Sequence, residues 1–162
     1  DPERNAGQTL ALLAGRFPLD PARTHPMPSA DGVVDNGNSA ATYAKELGET
    51  RFDICLLGLG EDGHVAGIFP GHASFEASTH TVIPVNDAPK PPAQRISVSM
   101  ETIRSSREVW FLVSGREKAD AVARAFADDP SIPGGVARGT SRTLWFVDAD
   151  AATRINYYDC VF

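Results

Sequence analysis

The sequence predicts an α/β fold with a parallel β-sheet, and two patterns support this prediction. An apolar run at residues 52–57 ends in glycines, which is typical of a short strand that is buried on both faces of a parallel sheet. Later in the chain, apolar runs at 109–113 and 143–147 flank a segment, 117–127, in which apolar residues recur at helical spacing. A strand, a helix and a strand in this order form a βαβ unit.

The first element is predicted to be a helix at residues 6–17. Asn5 can cap its N-terminus, and apolar residues line one face as far as Phe17. Residues 18–38 contain too many prolines and glycines for a regular element. We therefore expect a long surface loop there, with room for one short strand.

A second helix is predicted to begin after Ser39, a suitable N-cap, and to end at Gly48 as its C-cap. Two further strands are expected at 81–85 and 95–99. Each strand of the βαβ unit carries a Trp-Phe pair. We expect these four rings to lie in the core, because burial is the simplest explanation of large aromatic side chains in strands.

Composition and charge exclude several classes of protein. With 162 residues the chain is the size of one domain, and a single domain is predicted over 1–162. Hydrophobic residues make up 42% and charged residues 22%, as in globular proteins, and no apolar run approaches the roughly 20 residues of a membrane span. The net charge of -6 argues against a nucleic-acid partner, since phosphate backbones are bound by clustered Lys and Arg.

No signal peptide and no metal-ligand spacing can be recognised, so a cytoplasmic protein without a metal is expected. Cys55 and Cys160 form no disulfide framework, and both are expected to be structural or incidental. His64, His72 and His80 are spaced by eight residues, which fits no zinc site.

The most informative segment is the loop at residues 58–64, Gly-Leu-Gly-Glu-Asp-Gly-His, which follows the first predicted strand. Ligands of open α/β sheets bind at the carboxyl ends of strands, and glycines let the backbone approach a ligand, which makes Gly60 and Gly63 candidate binding residues. Asp62 and His64 form a candidate acid–base pair, because an imidazole can take a proton from water and a carboxylate can orient it. The alternative is that Asp62 caps the turn and His64 fills space.

The glycines of this loop also spell GxGxxG, the fingerprint of dinucleotide-binding sites. In such a site the glycines open a long helix, and an acidic residue follows the next strand about 20 residues later. Here Pro70 and Gly71 would interrupt any helix after one or two turns. We therefore do not favour a dinucleotide site.

A second candidate site is the Ser-Gly-Arg-Glu-Lys run that links the strand and the helix of the βαβ unit. Ser114 and Glu117 have the spacing of a capping box, which would begin the helix here. Arg116 and Lys118 would then lie in the first turn, where the helix dipole disfavours cations unless an anion is bound. Arg95, at the start of a predicted strand, is also suited to binding phosphate. Solvated surface cations are the alternative for all three.

Residues 57–70 resemble the LGxGxDGHxASxFP segment of 6-phosphogluconolactonases, with Gly67 where the family commonly has Ser. Further similarities occur at 91–97, which resembles the family's PPxRIT, at 114–119, which resembles SGxxKA, and at 145–152, which resembles WFxDxxAA. The first segment is highly specific for this family, and the order of the other three along the chain supports the resemblance. The resemblance covers nearly the whole chain.

The resemblance implies an open, mostly parallel sheet flanked by helices, as in glucosamine-6-phosphate deaminases and ribose-5-phosphate isomerases. It implies a small-molecule substrate, the sugar-phosphate lactone 6-phosphogluconolactone, and a water molecule activated by His64 with help from Asp62. Arg95 and Lys118 would hold the 6-phosphate, and Gly115 would donate a backbone N–H to it. No cofactor is expected, since ester hydrolysis requires positioning, a base and oxyanion stabilisation.

Two alternatives stay open from the sequence. A sugar-phosphate isomerase or glucosamine-6-phosphate deaminase of the same fold would use His64 to open a sugar ring. A non-catalytic sugar-phosphate sensor would need Arg95 and Lys118 but not His64. The resemblance also implies that a chain beginning at Asp1 lacks an N-terminal part of the family, including a Gly-Ser phosphate loop.

Overall fold

The computed structural model describes residues 5–13, 15–28 and 35–155. In chain order its helices and strands are α1 (Asn5–Leu13), α2 (Asn36–Leu47), β1 (Ile54–Leu57), β2 (Val82–Val85), β3 (Arg95–Val98), α3 (Met100–Ser105), β4 (Glu108–Val113), α4 (Ala119–Phe126), α5 (Pro133–Val136) and β5 (Arg142–Val147). None of the helices in this part of the chain is both long enough and apolar enough to cross a membrane.

The central sheet is parallel and has β4 between β1 and β5. Leu57 at the end of β1 pairs with Phe111 of β4, which pairs in turn with Trp145 of β5. The segment β4–α4–β5 is the predicted βαβ unit, and the predicted α/β fold is confirmed. Because neighbouring parallel strands end at the same edge of a sheet, the loops that follow β1 and β4 lie side by side.

β2 and β3 form an antiparallel pair that is separate from the central sheet. Both strands lie within the ranges expected from the sequence. A small buried cluster of Phe69, Ile83, Val85 and Ala88 packs at this pair. The N–H of Gly67 donates to Oγ of Ser97 in β3 at 3.0 Å. The pair is therefore joined to the segment that follows the 58–64 loop.

The central sheet buries one face and exposes the other. Val109, Phe111 and Val113 point into the main core, where each is at most 6% exposed. Ile54 and Leu56 of β1, in contrast, are 42% and 63% exposed. The expectation that β1 is buried on both faces is therefore wrong, because the described elements leave one face of this strand open to solvent.

The two Trp-Phe pairs are divided between these faces. Phe111 and Trp145 stack on the core side with ring centroids 3.9 Å apart and planes 3° apart. Trp110 and Phe146 contact each other on the other side, and Phe146 is 50% exposed. The prediction of four buried rings is wrong for Trp110 and Phe146, because adjacent side chains in a strand point to opposite faces.

α1 is shorter than predicted. It ends at Leu13, and the chain then adopts a positive φ of 81° at Gly15, which glycine tolerates without steric cost. Phe17 is 60% exposed and does not extend a buried helical face. In the described part of the expected loop at 18–38, the chain forms a 3₁₀ turn at Pro21–Arg23, and residues 29–34 lie outside the described residues.

α2 begins earlier than predicted but ends where expected. Asp35, not Ser39, is the N-cap, and its side chain accepts a hydrogen bond from the N–H of Asn38 at 3.0 Å. Gly48 is the C-cap, with a φ of 55°, and its N–H donates to the carbonyl of Ala44 at 2.9 Å. An Asp carboxylate is at least as good an N-cap as Ser, which explains the earlier start.

α4 is the helix expected at 117–127, but its N-terminus differs. A 3₁₀ turn, Arg116–Lys118, precedes it, and Gly115 at the start of this turn makes no side-chain capping bond. The predicted capping box of Ser114 and Glu117 is therefore wrong. α3 and α5 were not predicted, since each is too short for helical periodicity to be recognised.

Cys55 packs against the main core beside β4, and burial raises the pKa of its thiol above the ordinary value, although a hydrogen bond with Ser106 partly offsets this. This fits the structural role expected from the sequence. Cys160 lies outside the described residues.

Candidate active site

The loop at 58–64 turns sharply at the carboxyl end of β1. The N–H of Gly60 donates to the carbonyl of His64, and the N–H of Gly63 donates to the carbonyl of Gly60, both at 2.9 Å. Gly63 has a φ of 85°, and a Cβ atom there would lie 2.8 Å from the side chain of Ile132. The backbone of the loop is therefore closed on itself and seated against a buried side chain.

Asp62 and His64 are brought together as the sequence predicts. Nδ1 of His64 lies 2.6 Å from Oδ1 of Asp62, and the same oxygen is 3.4 Å from the backbone nitrogen of His64. The imidazole is 20% exposed, so that it is largely packed but reachable from solvent. Asp62 thus caps the turn, as the alternative expects, and also pairs with the imidazole, so the catalytic role of the two residues stays a prediction.

The environment of Asp62 favours its ionised form. Partial burial acts to raise the pKa of Asp62, but hydrogen bonds from the side chain and the N–H of His64, together with the charge of His64, outweigh it and hold this pKa below its ordinary value. A carboxylate can only accept hydrogen bonds, so Nδ1 of His64 must carry the shared proton. In a neutral imidazole the lone pair of Nε2 is then available, and no described residue hydrogen-bonds to that atom.

Lys118 lies beside this loop. Its side chain is 22% exposed, and Nζ is 3.8 Å from Oε1 of Glu61, the residue that precedes Asp62. The contact follows from the sheet, because the loops after β1 and β4 leave the same edge. Arg116 faces elsewhere, is 76% exposed and pairs with Asp150 at 3.0 Å. Of the two cations in this turn, Lys118 is thus the one that belongs to the candidate site.

Arg95 approaches the site from β3. Its Nε and Nη2 donate to the carbonyl of Pro92 at 3.1 and 2.8 Å, and Nη2 also donates to the carbonyl of Lys90. Cζ of Arg95 lies 5.4 Å from the centroid of the Phe69 ring. Burial lowers the pKa of this guanidinium, which remains protonated near neutral pH. Among the described residues no carboxylate pairs with Arg95, so its charge is available to an anion.

Phe69 links these groups and was not singled out from the sequence. Its ring is fully buried, and its centroid is 4.7 Å from that of His64 with planes 32° apart. Its place in the run that resembles the lactonase segment was the only signal available. The predicted base and the predicted cation at Arg95 therefore contact the same aromatic ring.

Gly115 is placed differently from the expectation that its N–H faces a phosphate. This N–H donates to both carboxylate oxygens of Asp148, at 3.1 and 3.2 Å. Asp148 also accepts from the N–H of Ala151 at 2.7 Å. A role for Gly115 in phosphate binding stays a prediction, and it would require this bond to open. The N–H groups of Gly60 and Gly63 are likewise engaged within their own loop.

The dinucleotide interpretation fails on the geometry that follows Gly63. In the described structure the chain passes through turns and reaches only a 3₁₀ turn, Ala73–Phe75, instead of a long helix. Helix N-termini are what such sites offer to a pyrophosphate. Within the described ranges, no three His, Cys, Asp or Glu side chains are grouped to hold a metal ion.

Comparison with known proteins places this geometry in a family. The family described as glucosamine-6-phosphate isomerases/6-phosphogluconolactonase matches residues 1–145. The 6-phosphogluconolactonase of Streptomyces coelicolor is 43% identical in an alignment that covers 96% of this chain and 65% of that protein. The chain thus spans slightly less than two thirds of the length of this relative.

Two solved structures share the fold. The 6-phosphogluconolactonase of Thermotoga maritima gives a TM-score of 0.77 at 24% identity, over 91% of this chain and 67% of that one. A monomeric glucosamine-6-phosphate deaminase gives 0.68 at 24% identity, over 95% of this chain and 68% of that one. Because lactonase and deaminase both match, the fold alone does not decide the reaction. Taken with the sequence match, these findings show that the chain belongs to the glucosamine-6-phosphate isomerase/6-phosphogluconolactonase family.

Proposed function

We propose that the protein hydrolyses 6-phosphogluconolactone to 6-phosphogluconate, as a cytoplasmic step of the oxidative pentose phosphate pathway. The observation that carries the proposal is the hydrogen-bonded pair of Asp62 and His64, with Nδ1 and Oδ1 2.6 Å apart, at the carboxyl end of a strand. The 43% identity to a protein named 6-phosphogluconolactonase supports the choice of substrate.

In the proposed reaction, Nε2 of His64 takes a proton from a water molecule as its oxygen attacks C1 of the lactone. The result is a tetrahedral oxyanion and an imidazolium, whose charge is stabilised by the adjacent carboxylate of Asp62. The bond between C1 and the ring oxygen then breaks, and the imidazolium returns its proton to that oxygen. The free acid that is formed loses a proton to give the carboxylate.

Lys118 and Arg95 are proposed to bind the 6-phosphate. Lys118 is held next to the loop at residues 58–64, which we call the catalytic loop. Arg95 has no carboxylate partner among the described residues. Nε and Nη2 of Arg95 already donate to the carbonyls of Pro92 and Lys90, so Nη1 is the atom proposed to contact the phosphate, whereas Lys118 acts as a point charge. Gly115, Gly60 and Gly63 remain candidate contacts, although each N–H has a partner in this structure.

The test compares lactone hydrolysis by the protein with the spontaneous rate. His64→Ala should lower kcat by about 100-fold or more, since general-base catalysis typically contributes 10²- to 10⁴-fold. The matched control is His80→Ala, an exposed histidine that lies outside the site. Turnover of glucosamine-6-phosphate with no action on the lactone would favour the deaminase. Full activity of His64→Ala would favour a different base.

The phosphate site is tested with two neighbouring cations. Lys118→Ala should raise KM about tenfold or more with a smaller effect on kcat, because a charge-assisted contact is worth roughly 1.5–3 kcal/mol. Arg116→Ala is the control, since Arg116 lies in the same turn but pairs with Asp150 on the exposed side. Equal KM values for the two variants would reject the role of Lys118.

A further inference from the structure

The inference concerns Phe69, the ring that touches both the predicted base and a predicted phosphate ligand. Phe69 is 0% exposed, its centroid lies 4.7 Å from the imidazole of His64, and the guanidinium carbon of Arg95 lies 5.4 Å from it. No other described aromatic ring contacts both of these groups.

The position of Phe69 is set from outside the catalytic loop. Its N–H donates to the buried Oγ of Ser74 at 3.1 Å. Its ring packs in a cluster with Ile83 and Val85 of β2. The ring is therefore anchored to the antiparallel β2–β3 pair, which also carries Arg95 at the start of β3.

The contact supplies a restraint that the hydrogen bond between His64 and Asp62 does not. The hydrogen bond to Asp62 holds one atom of the imidazole, Nδ1, and leaves the tilt of the ring about that atom free. A fully buried aromatic surface against the imidazole limits this tilt, and with it the direction in which the Nε2 lone pair points. For Arg95, the same ring offers its negative face to the guanidinium.

We propose that Phe69 is a positioning residue whose buried ring fixes the imidazole of His64 and the guanidinium of Arg95 relative to each other. The loop after β1 supplies the base and β3 supplies the cation, and Phe69 is the common surface between them. This inference rests on the proposed function, because the roles of His64 and Arg95 belong to it.

The first test compares two fully buried phenylalanines. Phe69→Leu should lower kcat per folded molecule about tenfold or more, since misplacing a reacting group by about 1 Å can cost 10²-fold. KM should also rise, by about two- to fivefold, through the loss of the contact with Arg95. Phe111→Leu removes an equally buried ring that stacks on Trp145 in the main core, and it should leave both constants within about twofold. Equal effects of the two variants on kcat would overturn the proposal.

A double-mutant cycle asks whether Phe69 acts through His64. In a His64→Ala background, Phe69→Leu should lower the residual kcat no further, because the group that it orients has gone. A full additional loss in that background would mean that Phe69 acts by another route and would overturn the proposal. Phe69→Tyr, which keeps the ring face, should retain more kcat than Phe69→Leu.

A readout without turnover separates this inference from the proposed function. The Nδ1 proton shared by His64 and Asp62 should give a slowly exchanging NMR signal in the wild type and in Phe111→Leu, and this proton should exchange faster with water in Phe69→Leu, because a ring that is free to tilt exposes the hydrogen bond. If the protein does not hydrolyse the lactone, the proposed function fails, but this comparison still decides whether Phe69 holds the imidazole. An unchanged signal in Phe69→Leu overturns that placement. Should Phe69→Leu not fold, Phe69→Met provides the same loss of the ring in a more adaptable side chain.

Discussion

Gly60 and His64 are so close that no side chain fits between them: a Cβ atom at position 60 would lie 1.9 Å from Nδ1 of His64 and 2.5 Å from Oδ1 of Asp62. The glycine is therefore required by the acid–base pair itself. Its N–H also donates to the carbonyl of His64, which closes the loop around the same imidazole.

Gly60→Ala should consequently displace the imidazole and lower kcat by about 100-fold, while the protein still folds. Gly58→Ala is the matched control in the same loop, because a Cβ atom there meets nothing within 4 Å. Steady-state kinetics, together with circular dichroism of both variants, measure the effect. The idea fails if Gly58→Ala and Gly60→Ala lose activity equally.

The carboxylate of Asp62 leads to a prediction about pH and stability. Its pKa in the folded protein lies below the ordinary value of 3.8, so the folded state favours the ionised form. The stabilisation is therefore fully present above this value and is lost as pH falls through the lower, folded-state pKa.

The measurement is the free energy of unfolding of the wild type and of Asp62→Asn as a function of pH. Asp62→Asn should be the less stable protein near neutral pH, and the difference should shrink as the pH falls below 3.8. The effect should be modest, because the side chain is 37% exposed and water screens the pair. A difference that grows on acidification would contradict the assignment of the ionised form.

The sequence predicts the parts of this molecule that depend on local pattern. β2 and β3 lie within their expected ranges, and the βαβ unit is present because alternation and helical periodicity are properties of a single segment. Gly48 ends α2 as expected, since its positive φ of 55° suits glycine. The Asp62 and His64 pair was also within reach, because the two residues share one tight loop.

The parts that were missed depend on contacts between distant segments. Leu56 is exposed because none of the described elements covers its face of β1. An apolar run in the sequence does not show which face of a strand is covered. The N–H of Gly115 is engaged by Asp148, which lies 33 residues away in sequence. Phe69 contacts Arg95 only through the placement of β3. Spacing along the chain predicts none of these contacts.

Glu61 is predicted to compete with the substrate for Lys118. Its carboxylate lies 3.8 Å from Nζ of Lys118, so it repels a phosphate dianion that binds to this amine. Glu61→Gln should lower KM for the phosphorylated lactone by about two- to fivefold and leave kcat unchanged, because exposed pairs are worth up to about 1 kcal/mol. The effect should weaken at higher ionic strength.

The control for Glu61→Gln is the same substitution in a Lys118→Met background, where no amine remains to compete for. Glu61→Gln should then lower KM by less than it does in the wild type, because only the direct repulsion between Glu61 and the phosphate is removed. A rise in KM on Glu61→Gln in the wild-type background would show instead that Glu61 helps to hold Lys118 in place.

Two glycines with positive φ separate backbone strain from a steric clash. Gly63 and Gly71 have φ values of 85° and 64°, but only at Gly63 would a Cβ atom meet a neighbour, the buried side chain of Ile132 at 2.8 Å. Gly71→Ala should cost about 1 kcal/mol of folding free energy through strain alone. Gly63→Ala should cost about 2–4 kcal/mol, because overpacking is added to the same strain.

Chemical denaturation of the two alanine variants measures this difference directly. Gly63→Ala should also lower kcat, since its carbonyl accepts the N–H of Gly134 at 2.9 Å and a shift there would move the loop that carries His64. Gly71 lies beyond that loop, so the Gly71→Ala variant should keep the activity of the wild type. Equal destabilisation of the two variants would mean that the side chain of Ile132 can move at no cost in free energy. The packing against Ile132 would then not fix the position of the catalytic loop.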